Sequence, residues 1–515
     1  MNGAESLIRT LVDAGVDHCF ANPGTSEMHL VQAIDGVPAM RPVLCLFEGV
    51  CSGAADGFGR MAGRPAATLL HLGAGFGNAT ANLHNARRAA TPLINLVGDH
   101  ARHHVPFDAP LTSDIEGIAR PFSAWVRTAR SAMGLARDGA DAVFAAMTPQ
   151  PVSTGRIATL AIPVDCAWGA GSGPVSVASA PLPEPVSAAR IEQIARDLGS
   201  DTLLLLDGAA LSAEGQVAAA RIAAATGCKV MAVTFPARIE QGPGLPPLAR
   251  LPYFPEQVMK ALAGVQRIVL AGAESPVSFF AYPDTPSDLV PDGCEVVRLA
   301  LLQEDVVGAL EDLATALSAP VQPPNINVEE RPQGVSGALD TRKAAAVIAA
   351  VLPEQAIVAV DSGGGGAAAD PCQRAAPHTW LNLTGGSIGM GAPVALGAAL
   401  ACPDRPVLAL LGDGGAMYTN QAFWTQAREG LKVATVIFSN RQYKILEHEY
   451  RRLGVNEVGA RAASLFDIGG PAIDWAALAG SMGVPGSRVD TAEGLADALQ
   501  RGLASDGPFL VEALI

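Results

Sequence analysis

Basic charge is scarce in this 515-residue sequence: 35 Lys+Arg stand against 50 Asp+Glu, a net charge of −15. Such a balance disfavours a chain that wraps a phosphate backbone, so no nucleic-acid partner is expected. No run of about 18 uninterrupted apolar residues occurs, and no membrane span is expected. The eight cysteines form no Cys-x-x-Cys pair and no zinc-like spacing with histidine. The opening stretch MNGAESLIRTLVDAG reads as an amphipathic helix and lacks an apolar signal core, so a reducing, cytoplasmic setting with free thiols is expected. The Gly-x-Gly-x-Gly that follows His71 has no acidic ribose partner at dinucleotide spacing, which disfavours a nicotinamide-dependent dehydrogenase.

What is present points to large buried cores. Hydrophobic residues make up 49% and charged residues 17%, and 55 Gly with 38 Pro supply many tight connections. At roughly 150 residues per domain the length suggests three domains. Two turn-rich stretches, WGAGSGPVSVASAPLPEPVSA and SAPVQPPNINVEERPQG, divide the chain into blocks at 1–166, 187–318 and 339–515. Each block alternates short apolar runs (VLCLF, AATLLHLG, DTLLLLDG, AIVAVDSG) with helix-like segments. The expected fold class is therefore α/β, as three stacked domains, each a mostly parallel sheet flanked by helices.

The sharpest signal lies in LALLGDGGAMYTNQAFWTQAREGLKVATVIFSNRQYKIL. One strand ends at Leu411 and delivers Gly412-Asp413-Gly414-Gly415; the next ends at Ser439-Asn440. The 27 positions between Asp413 and Asn440 suit one strand-helix-strand crossover, which brings both strand ends to one sheet edge. A carboxylate and an amide oxygen converging there suit Mg²⁺ that keeps diphosphate oxygens as its other ligands. Gly412, Gly414 and Gly415 let backbone amides approach the phosphates. The plainer alternative is a Gly-rich turn with a helix-capping Asp.

In the first block Glu48 ends an apolar strand and begins a helix containing Gly53, Gly57 and Gly59. This is a poor helix composition, and close helix-helix approach across a subunit interface is the expected compensation. A carboxylate at such an apolar boundary is expected to be desolvated and suited to moving a proton. His71 ends a strand and should sit at a sheet's ligand edge, although a structural histidine would look the same. Asn22-Pro23-Gly24-Thr25-Ser26-Glu27 has the order of a turn and helix cap, leaving Thr25 either a capping or a substrate-contacting hydroxyl.

The Gly-Asp-Gly run followed by Asn440 resembles the signature of thiamine-diphosphate enzymes, with Ser439 where a second Asn is usual. The resemblance implies that Asp413 and Asn440 donate side-chain oxygens to Mg²⁺ and Gln442 its backbone carbonyl. TGGSIGMGAPVALGAALA is similar to that family's cofactor-clamping loop. It makes Ile388 the wedge between the cofactor's two rings and Gly386 the carbonyl partner of the pyrimidine amine. Glu48, Asp56, Gly57 and Arg60 match a family stretch in which the glutamate hydrogen-bonds the pyrimidine ring nitrogen and so promotes loss of the thiazolium proton.

His71 and the Thr25 loop resemble benzoylformate decarboxylases, where a histidine positions substrate or relays a proton; acetolactate synthases usually lack it. The second active-site histidine of those decarboxylases is replaced near Ala281. His103-His104 is similar to the paired histidines of pyruvate decarboxylases, but in different surroundings. The segment from Gln442 to His448 is expected to line the substrate entrance. No stretch singles out a flavin site, so FAD is not predicted. The resemblance implies pyrimidine-binding, central and diphosphate-binding domains, and a homodimer or homotetramer with active sites at the subunit interface. The expected activity is non-oxidative decarboxylation of a 2-oxo acid, with an acetolactate synthase-like carboligase or a non-catalytic cofactor-binding protein as alternatives.

Overall fold

A computed structural model describes residues 1–515 except 152 and 456. It contains three sheets, mostly parallel and flanked by helices, which is the α/β class expected from the alternating pattern. The first sheet runs, edge to edge, through Arg41–Leu44, His18–Asn22, Ala66–Leu70, Leu93–Asp99, Ile157–Pro163 and Trp125–Thr128, with every pairing parallel. The second is a five-stranded parallel sheet formed by Ala249–Arg250, Lys229–Ala232, Thr202–Leu206, Arg267–Ala271 and Glu295–Ala300. The third orders Gly486–Val489, Phe509–Leu514, Val433–Ser439, Val407–Gly412, Ala356–Asp361 and His378–Leu381, then adds Arg238–Gln241 antiparallel at its edge. That last strand comes from the middle of the chain and ties the central block to the third sheet. Among the described residues no helix is long and apolar enough to cross a membrane.

Strand order fixes where ligands can enter. In open α/β sheets a crevice forms at the C-terminal strand ends where chain progression reverses direction. In the first sheet the reversal falls between His18–Asn22 and Ala66–Leu70, so Pro23-Gly24-Thr25 and His71 flank it. In the third it falls between Ala356–Asp361 and Val407–Gly412, so Ser362 and Asp413 flank it. The two reversal points coincide with the two motif-bearing regions of the sequence.

The glycine-rich helix Glu48–Ala62 is explained differently from the expectation. The close approach its glycines announce is made within the chain, against Gly391–Ala401. A Cβ on Gly57 would overlap the carbonyl oxygen of Val394, one on Gly397 the carbonyl oxygen of Ala54, and one on Gly53 would lie 2.7 Å from Pro393. Gly59 instead makes room for Thr91 and Pro92. Missing side chains allow two backbones to touch, and burial of both helices offsets the poor propensity. Asp56 and Arg60 lock the same junction: a buried bidentate pair (2.6 and 2.9 Å) leaves Arg60 Nη1 to donate to the Asn382 carbonyl at 2.7 Å. Gly397→Ala is therefore expected to destabilise the fold by about 3 kcal/mol, the upper end of overpacking costs, read as a lowered urea midpoint.

Candidate active site

At the third sheet's reversal point, register explains convergence. Leu411 pairs with Ile437 and Gly412 with Phe438, so Asp413 and Asn440 emerge side by side. Asp413 is buried, and its oxygens accept from the Gly414 N–H (2.9 Å) and the Arg441 N–H (2.6 Å). Burial pushes its carboxyl above the usual range, against the lowering effect of those backbone donors. Arg441 adopts φ +56°, a left-handed conformation that costs a side-chain-bearing residue roughly 1–2 kcal/mol. The bond to Asp413 holds that turn, and Asn440 Oδ1 accepts from the Gln442 N–H at 3.0 Å.

Beside them, Ser362 caps a turn of four glycines, its hydroxyl accepting from the Gly365 N–H at 2.8 Å. No atom lies within 4 Å of where a Cβ would stand on Gly363 or Gly366, so this turn is open to a ligand. A buried carboxylate and an amide oxygen at adjacent strand ends, with two glycine-lined turns beside them, are oxygen and backbone donors of the kind that fit a diphosphate with Mg²⁺.

The clamp segment adjoins this crevice. Gly386 has φ +74°, and a Cβ there would stand 2.5 Å from the Phe279 ring, so both conformation and space require glycine. Ile388 and Gly386 line a cavity of about 990 Å³ together with Asp361, Ser362, Phe279 and Ile445. Ile445 and Leu446 lie on the helix Lys444–Arg452, so the segment after Gln442 does face this cavity.

Sequence reasoning missed Asp361, which supports the clamp from beneath. Its Oδ2 accepts from the Gly389 N–H (2.7 Å) and the Gly391 N–H (3.1 Å), while Oδ1 is buried without a partner among the described residues. Burial raises its carboxyl from 3.8 to about 6. The native state then holds this proton more tightly than the unfolded chain does. Its contribution to stability is complete below about pH 4 and is lost as pH rises through about 6, a swing of about 3 kcal/mol. Asp361→Asn is expected to flatten that fall, read as urea midpoints measured across this range.

At the first sheet's reversal point, Glu48 begins its helix with 6% exposure, and its Oε2 accepts from Asn78 Nδ2 at 3.0 Å. A Cβ on Gly75 would lie 2.9 Å from Glu48 Oε1 and 3.4 Å from His71 Cβ, so the two side chains border one small space. His71 Nδ1 bonds Glu27 Oε2 at 2.8 Å, and the Gly24 N–H donates to the same oxygen at 2.7 Å. Glu27 is fully buried, and burial raises its carboxyl above the usual range. Capping of the Gly24 turn thus falls to Glu27, while Thr25 is exposed beside it. Glu27 was missed because its partner lies 44 residues away; its place three residues after Gly24 was the available signal.

The structure therefore gathers Glu48, His71, Glu27 and Thr25 around one reversal point, and Asp413, Asn440, Gln442, Gly412, Gly414 and Gly415 around another. Of the site residues expected from the sequence, only Gly386 and Ile388 are among the described residues lining the 990 Å³ cavity; Glu48, His71, Thr25, Asp413, Asn440 and Gln442 are not.

Residues 1–118 match the family model of the thiamine pyrophosphate enzyme N-terminal TPP binding domain, and residues 361–513 that of the C-terminal TPP binding domain. The chain belongs to the thiamine diphosphate enzymes. This thiamine diphosphate enzyme is 48% identical over 525 residues to a Mycobacterium tuberculosis protein named "Putative acetolactate synthase large subunit IlvX", covering 100% of this chain and 99% of the relative. It is 29% identical to benzoylformate decarboxylase of Pseudomonas aeruginosa, over 97% of this chain and 96% of the relative. Among solved structures it resembles the thiamine diphosphate-dependent 4-hydroxybenzoylformate decarboxylase of Rhodococcus jostii, with a TM-score of 0.84, 25% identity, and coverage of 99% of this chain and 98% of the other. Both TPP binding domains of a thiamine diphosphate enzyme are thus present in one polypeptide, and each contains one of the two reversal points.

Proposed function

We propose that this enzyme removes CO₂ non-oxidatively from a 2-oxo acid, R–CO–COO⁻, and delivers an aldehyde after uptake of one proton. Bound thiamine diphosphate would supply a carbon nucleophile and an electron sink. Asp413, Asn440 and the Gln442 carbonyl would hold Mg²⁺, with Gly412, Gly414, Gly415 and the Ser362 turn presenting backbone to the diphosphate. Ile388 would wedge the cofactor's rings, and the Gly386 carbonyl would orient the pyrimidine amine. Glu48 would hold a proton at the pyrimidine nitrogen. Thr25 would touch the substrate carboxylate.

The observation that carries the decarboxylase reading is the His71–Glu27 pair. A buried carboxylate fixes the orientation of an imidazole that borders the same space as Glu48, an arrangement suited to delivering a proton to the product carbon. Glu48 and Asp413 lie in different TPP binding domains, and the resemblance to the family supports a homodimer or homotetramer in which Glu48 of one protomer faces Asp413 of its partner. Eight free cysteines support a reducing, cytoplasmic setting.

The 48% identity to an acetolactate synthase-named protein favours a second reading, condensation with a second carbonyl compound. Supplying pyruvate and, separately, an aryl 2-oxo acid to the Mg²⁺-loaded holoenzyme separates the two. Aldehyde as the main product is the expected result; an acetohydroxy acid from pyruvate would replace it with the carboligase.

A further inference from the structure

Arg250 is a cavity-lining guanidinium that forms no ion pair among the described residues. It ends the edge strand Ala249–Arg250 and lines the 990 Å³ cavity. Among the described residues its one side-chain hydrogen bond goes to a neutral group, Asn382 Oδ1, at 3.1 Å. Among the described residues no carboxylate lies within 4.0 Å of it, although its neighbour Arg60, which shares Asn382, has a bidentate aspartate. Three carboxylates line the same cavity. Asp361 is spent on the clamp, Glu449 accepts from Tyr282 and lies 3.7 Å from Arg452, and Asp370 acts on Arg250 only at a distance. The arginine remains partly accessible because it faces the cavity, while surrounding protein desolvates it and lowers its affinity for its proton. An enclosed cation with no carboxylate in contact is costly, and an anionic ligand seated on it lowers that cost.

The same cavity is lined by an aromatic cluster of Phe235, Tyr253, Phe279 and Phe280, their ring centroids 5.0 to 6.0 Å apart. Phe279 touches Gly386, so this cluster continues directly from the clamp. Aromatic surface and one cation held without an ion pair in the same cavity suit a ligand with an apolar body and an anionic end. The carboxylate expelled as CO₂ is a poor match. An ion pair with it would stabilise the ground state and vanish as the bond breaks, raising the barrier.

Resting on the thiamine diphosphate reading above, we propose that Arg250 binds a carboxylate which the product keeps. It belongs either to the far end of the donor 2-oxo acid or to a second 2-oxo acid that acts as acceptor.

The test has a binding arm and a turnover arm. Calorimetric titration with glutarate and its uncharged analogue glutaramide, with and without thiamine diphosphate and Mg²⁺, reads the site without chemistry. Wild type is expected to bind glutarate at least about 10-fold more tightly than glutaramide, as a charge-assisted pair implies. Arg250→Met should abolish this preference and Arg250→Lys keep part of it. In turnover, 2-oxoadipate is compared with 2-oxohexanoate as donor, and 2-oxobutanoate with propanal as acceptor to a pyruvate donor. A preference for the acidic member in the first pair assigns the donor's tail, and in the second the acceptor; in either case Arg250→Met should bring the ratio near one.

The proposal is overturned if wild type does not discriminate glutarate from glutaramide, or if Arg250→Met binds glutarate as wild type does. It is also overturned if the variant weakens thiamine diphosphate binding instead, or lowers acidic and neutral substrates in parallel. Should the variants not fold, the wild-type comparison alone decides. Failure to bind thiamine diphosphate at all, with Arg250-dependent glutarate binding intact, would sink the functional reading and leave this one standing.

Discussion

Changing Glu48 to Gln is expected to lower 2-oxo acid turnover about 10²- to 10⁴-fold, the usual worth of a positioned proton-transfer group, while thiamine diphosphate and Mg²⁺ still bind. The substitution is nearly isosteric. Glutamine keeps an oxygen that can accept from Asn78 Nδ2, and Gly75 leaves room on the other side. A buried carboxylate exchanged for a neutral amide should leave the unfolding midpoint in place or raise it, so a fall in turnover cannot be ascribed to a damaged fold. The discriminating measurement is deuterium exchange at the cofactor's thiazolium carbon, followed by NMR on the bound holoenzyme. Exchange should slow along with turnover if Glu48 acts through the pyrimidine nitrogen. Turnover equal to wild type would reduce Glu48 to a structural carboxylate and remove the main argument against a non-catalytic cofactor-binding protein.

Features written in local pattern were legible in the sequence; those made by distant contacts were not. Apolar runs ending at Leu411 and Ser439 gave both strand ends, and parallel register then required Asp413 and Asn440 to meet. His71 could be placed at a sheet edge because a strand precedes it and a glycine-rich helix follows. Glu27, by contrast, looks like a helix-capping residue; only the packed first sheet brings it to His71. Asp361 reads as the last residue of a strand, and nothing near it in sequence shows that its acceptors serve Gly389 and Gly391.

The glycines of Glu48–Ala62 announced a close approach but not its partner. The helix that fits them begins at Gly391, more than 300 positions away and in the same chain. Arg238–Gln241 is four residues of unremarkable composition, yet it completes the edge of a sheet built from the far end of the polypeptide. Arg250 was equally silent, since being unpaired is a property of surroundings and not of sequence.

Asp413→Asn should have the second large effect, and on binding before catalysis. The side chain keeps its shape and one acceptor oxygen, but the single full negative charge among the proposed metal donors is gone. Loss of a residue that merely orients a ligand commonly costs 10- to 100-fold in metal affinity, so loss of this charge should cost at least about 100-fold. Thermal or urea unfolding can read this directly. With cofactor and Mg²⁺ at about 100 times the wild-type dissociation constant, ligand binding stabilises wild type by about 2.7 kcal/mol. The variant under the same conditions would sit near its own dissociation constant and gain only about 0.4 kcal/mol. Its ligand-free stability should fall by about 1–3 kcal/mol, because the amide can accept from only one of the Gly414 and Arg441 N–H groups, so the ligand-dependent gain is read against the variant's own ligand-free midpoint. A variant that showed the full ligand-dependent gain would mean that the diphosphate is held elsewhere. The third sheet's reversal point would then be a capped turn of glycines, as the plainest reading of Gly-Asp-Gly always allowed.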